Sequence, residues 1–349
     1  MRDPFASASL WLREGWSRLK VRSAERRLHM RAVERAVERI IDQANPSLRG
    51  LPGYRHKLFP VVERLLAFAA ELAGRLPGPT TVDPSSWASD PLVNALFGDV
   101  GQIRRVISGA PVRAWIKAHP VPRGDDLYAL LAVMATERQQ LGMELVGDHV
   151  QRDVKQTTLS FAEHELYAVA DSMPGCREIL AGQIVDLIVS IAIADIVAQE
   201  ERIAALEQAV RMLRLKLKVL APRAGSVDLL RSSSENLAEH ERLKARIDES
   251  QRDLADARRG LGDIEQYLTR LIEQLDHAER HIGLEGMRLW VDRMNVVRDR
   301  HDPQAHELQL TRARRPDRPG RVVQFIRFPR RLVQTADERL AEVERHLGM

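Results

Sequence analysis

Cysteine is almost missing from this chain. Cys176 is the sole thiol in 349 residues, which excludes an intramolecular disulfide and fits a reducing compartment, the cytoplasm. Aromatic residues are scarce, at 5% against 44% apolar overall, so any core is aliphatic. Met1 to Leu10 lacks the apolar run of a secretory signal. The local signatures of several enzyme classes are missing too. No phosphate-binding loop ending in Gly-Lys-Ser/Thr occurs, and no Gly-x-Ser-x-Gly nucleophile elbow. Three His–Glu pairs, at His164, His240 and His306, lack the second histidine four residues on that would bring two ligands to one helix face; Ala168, Lys244 and Leu310 stand there. Charge of one sign is modest: 53 Lys and Arg against 49 Asp and Glu leave +4, too little for a global nucleic-acid affinity.

The clearest positive pattern runs from Cys176 to Gly283. Its second half carries Leu243, Ile247, Ser250, Leu254, Ala257, Leu261, Ile264, Leu268, Leu271, Leu275, Ala278 and Ile282 in alternating steps of four and three. Such a repeat keeps one seam facing a partner helix, as in a coiled coil. The first half does the same at Ile203, Leu206, Val210, Leu213, Leu217 and Leu220. Between them Ala221 to Ser234 holds Pro222, Gly225 and three serines, which stop one helix and start the next. Two helices of roughly 45 to 50 residues each would span on the order of 70 Å. Similar lengths and a short connection favour an antiparallel hairpin within one chain over a parallel homodimer.

The base of the first helix, Ile179 to Val197, is apolar nearly all round and approaches a membrane span in length. Asp186 and Asp195, nine residues apart, fall on opposite sides of that helix and would each be penalised in a bilayer. A buried root for the hairpin is therefore expected, and a membrane is not expected as a partner.

Ahead of the hairpin the chain reads as shorter helices. Eleven Lys or Arg against six Asp or Glu fall between Met1 and Arg49, with Trp11 and Trp16 among them. The preferred reading is a helix packed through Val33, Val37, Ile40 and Ile41 with its arginines in water, over an interfacial anchor. A second helix covers His56 to Leu76, with Leu58, Val62, Leu65, Leu66, Ala69 and Leu72 on one face. Short helices follow around 91–97, 102–108 and 111–118. A long helix is expected from Asp125 or Asp126, through Leu127, Leu130, Leu131, Met134, Leu141 and Leu145, to Thr157. From Thr157 to Ala170 alternation and threonines suggest an extended segment.

The stretches "GYRHKLFPVVERLLAF", "PGPTTVDPSSWASDP" and "GDHVQRDVKQTTLSFAEHEL" resemble a group of uncharacterised proteobacterial helical, coiled-coil proteins. The resemblance covers about the first two-thirds of the chain. It implies a bacterial, cytoplasmic protein and carries no activity with it.

After Gly283 the helical period ends. Two β-type runs, Glu307 to Arg315 and Arg321 to Phe328, flank a Pro- and Gly-rich turn and read as a β-hairpin. A terminal helix is expected from Thr335 to Leu347. Arg312, Arg314, Arg315, Arg318, Arg321, Arg327, Arg330 and Arg331 crowd this hairpin, opposed only by Asp317. They could track phosphates, with Phe325 or Phe328 near bases. Otherwise they pair with acids of the helical hairpin such as Glu273 or Asp276. His301, Asp302 and His306 read as solvated loop groups. His149 and Asp153, one turn apart on the expected long helix and close to Asp148 and His164, read as an ordinary helix-surface pair. Cys176 follows Pro174 and Gly175 at a helix amino terminus, where a thiol can become reactive, but a buried small residue is the preferred reading.

The sequence thus predicts a mainly α, essentially all-alpha protein: an amino-terminal helical domain at 1–175, an antiparallel coiled-coil hairpin at 176–284 with its turn at about 221–234, and a small α+β module at 285–349. Its expected role is a non-enzymatic scaffold or assembly component acting through the coiled-coil arm on a protein partner or a second copy. The alternative is nucleic-acid binding by the Arg-rich hairpin. No catalytic residue, metal or cofactor is expected.

Overall fold

The computed structural model describes residues 27–121, 124–146, 149–220, 234–258 and 263–334. Two compact units emerge: Met1–Leu65 with Leu187–His277, and Leu66–Asp186 with Ala278–Met349. Helices α2 (Tyr54–Arg75) and α7 (Met173–Leu220) each contribute to both.

The second unit is built on a six-stranded sheet. Its strands are β1 (Thr80–Thr81), β2 (Asp126–Val146), β3 (His149–Ala170), β4 (Gly283–Val291), β5 (His306–Arg315) and β6 (Arg318–Pro329). The order is β3-β2-β6-β5-β4, all antiparallel, with β1 parallel to the end of β6. A short segment then joins the two outer strands. Leu159 N–H donates to Asn295 O and Val297 N–H to Thr157 O, both at 2.8 Å, while Arg298 N–H donates to Trp290 O at 2.8 Å. Residues 295–298 therefore pair with β3 on one side and β4 on the other, and close the sheet order into a ring.

One face of this sheet is lined by alternate residues: Leu127, Ala129, Leu131 and Val133 of β2, Leu308 and Leu310 of β5, and Val322, Ile326 and Phe328 of β6. It is filled by four short helices, α3 (Pro84–Ser89), α4 (Pro91–Leu96), α5 (Val100–Ile107) and α6 (Ala110–Ala118). They contribute Val93, Leu96, Phe97, Ile103, Ile107 and Val112 to the same core. Asp83, Asp90 and Asp99 cap the first three of these helices with their carboxylates, satisfying orphan N–H groups. Leu130, Ala132, Val323 and Phe325 point to the opposite face and are buried as well. There the Arg177 guanidinium of α7 lies over the Phe325 ring at 5.7 Å and donates to Leu76 O at the end of α2.

The mainly α expectation fails at this sheet, and the all-alpha label with it. The C-terminal hairpin is present as β5 and β6, but it is the middle of a sheet rather than a small module. The long helix expected from Asp125 to Thr157 is instead β2 and the start of β3, with 147–148 outside the described residues. The reason is two-sided burial. With both faces covered, β2 reads as a continuous apolar run, and Leu127, Leu130, Leu131 and Met134 then mimic a helical stripe.

The first unit is helical. Helix α1 (27–44) buries Val33, Val37, Ile40 and Ile41, and α2 buries Leu58, Val62 and Leu65. Helices α8 (Ser234–Arg258) and α9 (Ile264–Asp276) replace the single second helix expected. Asp263, extended and accepting from Gln266 N–H, caps α9 anew, so the chain breaks there despite the heptad continuity. Helix α9 buries Tyr267, Leu268, Leu271 and Leu275, and Tyr267 Oη donates to Ala44 O at 3.3 Å. Arg64 holds Asp276 through Nε at 2.9 Å and Nη2 at 2.6 Å. Helix α7 is unbroken over 48 residues. It runs antiparallel to α8 and α9: Asp195 meets Arg270 at 3.7 Å, Gln199 Nε2 donates to Ala257 O at 3.2 Å, and Glu207 pairs with Arg258. The expected terminal helix at 335–347, the turn at 221–233, and Trp11 and Trp16 lie outside the described residues.

Candidate interaction surfaces

The residues of the expected coiled-coil seam fall mainly on α7, α8 and α9. Val210 and Ile247 are buried, and Ile203, Leu206, Leu213, Leu217, Leu243 and Leu254 are half-buried. Ile264 is half-buried at the start of α9, Ile282 is half-buried just before β4, and Leu261 lies outside the described residues. Leu220 is the last residue of α7.

A second apolar line on α7 escaped the sequence argument. Met212, Leu215 and Val219 are 52%, 58% and 84% exposed. At about 100° per residue they share an arc on the side of α7 away from the seam. Exposed cations border this line, Arg211 and Lys218 on one flank and Lys216 on the other, with Arg214 beyond the first flank toward the seam. Arg211 reaches Glu207 at 3.7 Å, whereas Arg214, Lys216 and Lys218 form no ion pair among the described residues. No acidic residue occurs between Gln208 and Leu220. The signal was in the sequence as an i, i+3, i+7 spacing, overshadowed by the leucine seam beside it.

Toward its base α7 presents a stripe of Leu180, Ile184, Val185, Ile188, Val189, Ala192 and Ile196 that is buried in protein. This is the described helix long and apolar enough to cross a membrane, and 39% of its most apolar window is buried.

The eight arginines of the Arg-rich hairpin do not line one row. Arg315 is held by both oxygens of Asp317, through Nε at 3.1 Å and Nη2 at 2.7 Å, and this bond holds the Asp317 carboxyl below its ordinary value. Arg321 reaches across β2 to Glu163 at 2.7 Å and Glu165 at 3.1 Å on β3. Arg327 donates to Thr81 Oγ1 at 2.9 Å and lies 3.7 Å from Asp126. Arg330 donates to His119 O at 3.4 Å. Arg312 packs its stem on Gly320, where a β-carbon would come within 2.9 Å, and its Nε is buried with no hydrogen-bond partner among the described residues. Arg314, Arg318 and Arg331 are exposed, with Arg318 3.8 Å from Asp317. Among the described residues, the carboxylates that engage this set belong to the sheet and the turn.

The remaining candidates are packing groups. Cys176 is fully buried, and burial pushes its thiol up to about 12 despite the neighbouring Arg177. His164 stacks on Phe97 at 5.2 Å, with Nε2 at 2.7 Å from Leu96 O and Nδ1 at 3.4 Å from Gln102 Nε2. Its contact with a carbonyl makes Nε2 the protonated nitrogen, and burial lowers its pKa from the ordinary value. Asp153 and His164 lie eleven residues apart on β3, roughly 35 Å. Among the described residues no three His, Cys, Asp or Glu side chains gather as a metal-holding group. An open groove of 1430 Å³ runs beside α1 and α2, lined by Leu28, Met30, Phe59 and several charged groups. Burial raises the Glu38 carboxyl there, but hydrogen bonds from Tyr54, Arg55 and Arg49 outweigh it and leave the pKa lowered. The chain matches no known protein family, no curated protein and no solved structure.

Proposed function

We propose that this chain is a non-enzymatic assembly component that docks onto another macromolecule through the arm formed by α7 and α8. The observation that supports it is the line Met212, Leu215 and Val219. On a coiled coil the side away from the seam is ordinarily polar, because each exposed aliphatic side chain keeps apolar area in water at about 25 cal/mol per Å². Three such residues in two turns, more than half exposed, are a surface suited to being covered. The alternative, phosphate tracking by the Arg-rich hairpin, has fewer open cations behind it, since Arg315, Arg321 and Arg327 already face carboxylates.

The test is site-specific photo-crosslinking in cells of the source organism, with a photoreactive residue at Leu215 or at Glu241 on α8. Adducts from position 215 and none from 241 are expected. No adduct from Leu215 or from Met212 would sink the docking role.

A further inference from the structure

The arm's open line also specifies what covers it: we infer that the occupant is an acidic amphipathic helix of another protein. This rests on the docking role proposed above. Met212, Leu215 and Val219 keep the alternating steps of a heptad register on the outer side of α7; behind them the same steps reach Gln208, Ala205, Glu201 and Ala198, which are polar or small. A register of that kind fits a helix laid alongside, with apolar side chains meeting the line and charged ones meeting its flanks. The flanks set the sign. Arg211, Arg214, Lys216 and Lys218 fall within eight residues, and the last three are without ion-pair partners among the described residues. Glutamates or aspartates at the flanking positions of the incoming helix would answer them.

A second copy of this chain answers them poorly. Two α7 segments side by side in register, or tip to tip, set the same cations against each other. Shifted antiparallel pairing brings Met212, Leu215 and Val219 against Glu201, Ala205 and Gln208, which offer no large apolar side chain. Glu207, the nearby acid on that flank, is already engaged by Arg211 and Arg258.

The experiment uses the full chain and two synthetic helical peptides with leucines at both seam positions of each heptad. One carries glutamates on its flanks and the other lysines, and binding is read by fluorescence anisotropy. The acidic peptide should bind about tenfold tighter, the size of three exposed ion pairs. Replacing Met212, Leu215 and Val219 by Ser should abolish the binding. The triple variant Arg214→Glu, Lys216→Glu, Lys218→Glu should reverse the preference toward the basic peptide, an outcome that misfolding cannot imitate. Equal binding of both peptides, or binding indifferent to the Ser replacements, would overturn the inference. So would dimerisation, or binding to phosphatidylglycerol vesicles, that the Ser variant loses, because either assigns the line to a different occupant. Crosslinks from Leu215 that persist when the acidic peptide fails would leave docking standing and remove only its proposed partner.

Discussion

The closure of the sheet depends on one carboxylate, and replacing Asp292 by Ala should open it. Asp292 Oδ1 accepts from the N–H groups of Met294 at 2.8 Å and Val296 at 3.0 Å. Its Oδ2 accepts from Arg298 Nε at 2.9 Å and Nη2 at 2.8 Å. The two side chains are 16% and 10% exposed, so this is a nearly buried pair. Asn295, at φ +59°, turns the chain between them, and residues 295–298 bridge β3 and β4 on either side. Removing one partner of a buried pair costs about 3–5 kcal/mol. Asp302 remains 4.0 Å from Arg298, so the lower end, about 3 kcal/mol, is the better figure. Asp292→Asn keeps an acceptor for the two N–H groups and loses the charge, and should cost about 1–2 kcal/mol.

Heat or urea would blur this effect, because a chain of two compact units need not unfold in one step. Hydrogen exchange at the amides of Leu159, Val297 and Arg298 reads the bridge directly. A loss of 3 kcal/mol in the local opening free energy corresponds to exchange about a hundredfold faster there. Asp292→Asn should give about a tenfold change at the same amides, while α8 and α9 stay as they were. Exchange at these three amides within twofold of wild type in Asp292→Ala would refute the idea that the carboxylate holds the closure.

Three further outcomes follow from named groups. Cys176, buried and pushed up to about 12, should resist iodoacetamide in the folded protein and react only after denaturant is added; native labelling would place the thiol at the surface. His164 has a folded pKa below its ordinary value, so the unfolded chain takes up the proton first as pH falls below about 6.5. Its contribution to stability is present above that pH and is lost on acidification through the folded pKa; the melting temperature should therefore fall more between about pH 7.5 and 5.5 in wild type than in His164→Gln. Ile247→Ala should loosen the arm by about 2 kcal/mol and speed proteolysis within α8, while exchange in β2 and β6 is unchanged; equal losses in both would contradict a separately stabilised arm.

How much of this was legible from the residues depended on how local each cause is. The α1 face at Val33, Val37, Ile40 and Ile41 and the α7 seam are set by spacing along one element, and spacing is visible. The β5–β6 hairpin was visible for the same reason, with its turn at Pro316 and Asp317 between alternating runs. Strand β2 was not, because Leu127, Ala129, Leu131 and Val133 are buried against the core shared with the short helices while Leu130 and Ala132 are buried on the opposite face, which erases the period of two. The bulges at Glu163 and Ala168, both at positive φ without glycine, further break the alternation of β3. The partners of the arginines were hidden by distance: Glu163 is 158 residues from Arg321. No local pattern foretells that meeting, which is settled only when β2 slots between β3 and β6.

The arm's outer line is a different kind of miss. Its residues are neighbours in sequence, and its spacing is as regular as that of the seam it accompanies. What concealed it was that RMLRLKLKVL holds two registers at once, with three apolar residues in each. Apolar content alone cannot separate a helix that buries one side from a helix that offers a second side for capture. The exposure of Met212, Leu215 and Val219 separates them, because Val210 is buried and Leu206, Leu213 and Leu217 are half-buried on the other side. On α7 a second, short apolar line therefore lies open on the side away from the seam, which is the surface the proposed docking would use. Under that proposal the flanking charges, more than the apolar line itself, would decide which helix fits it.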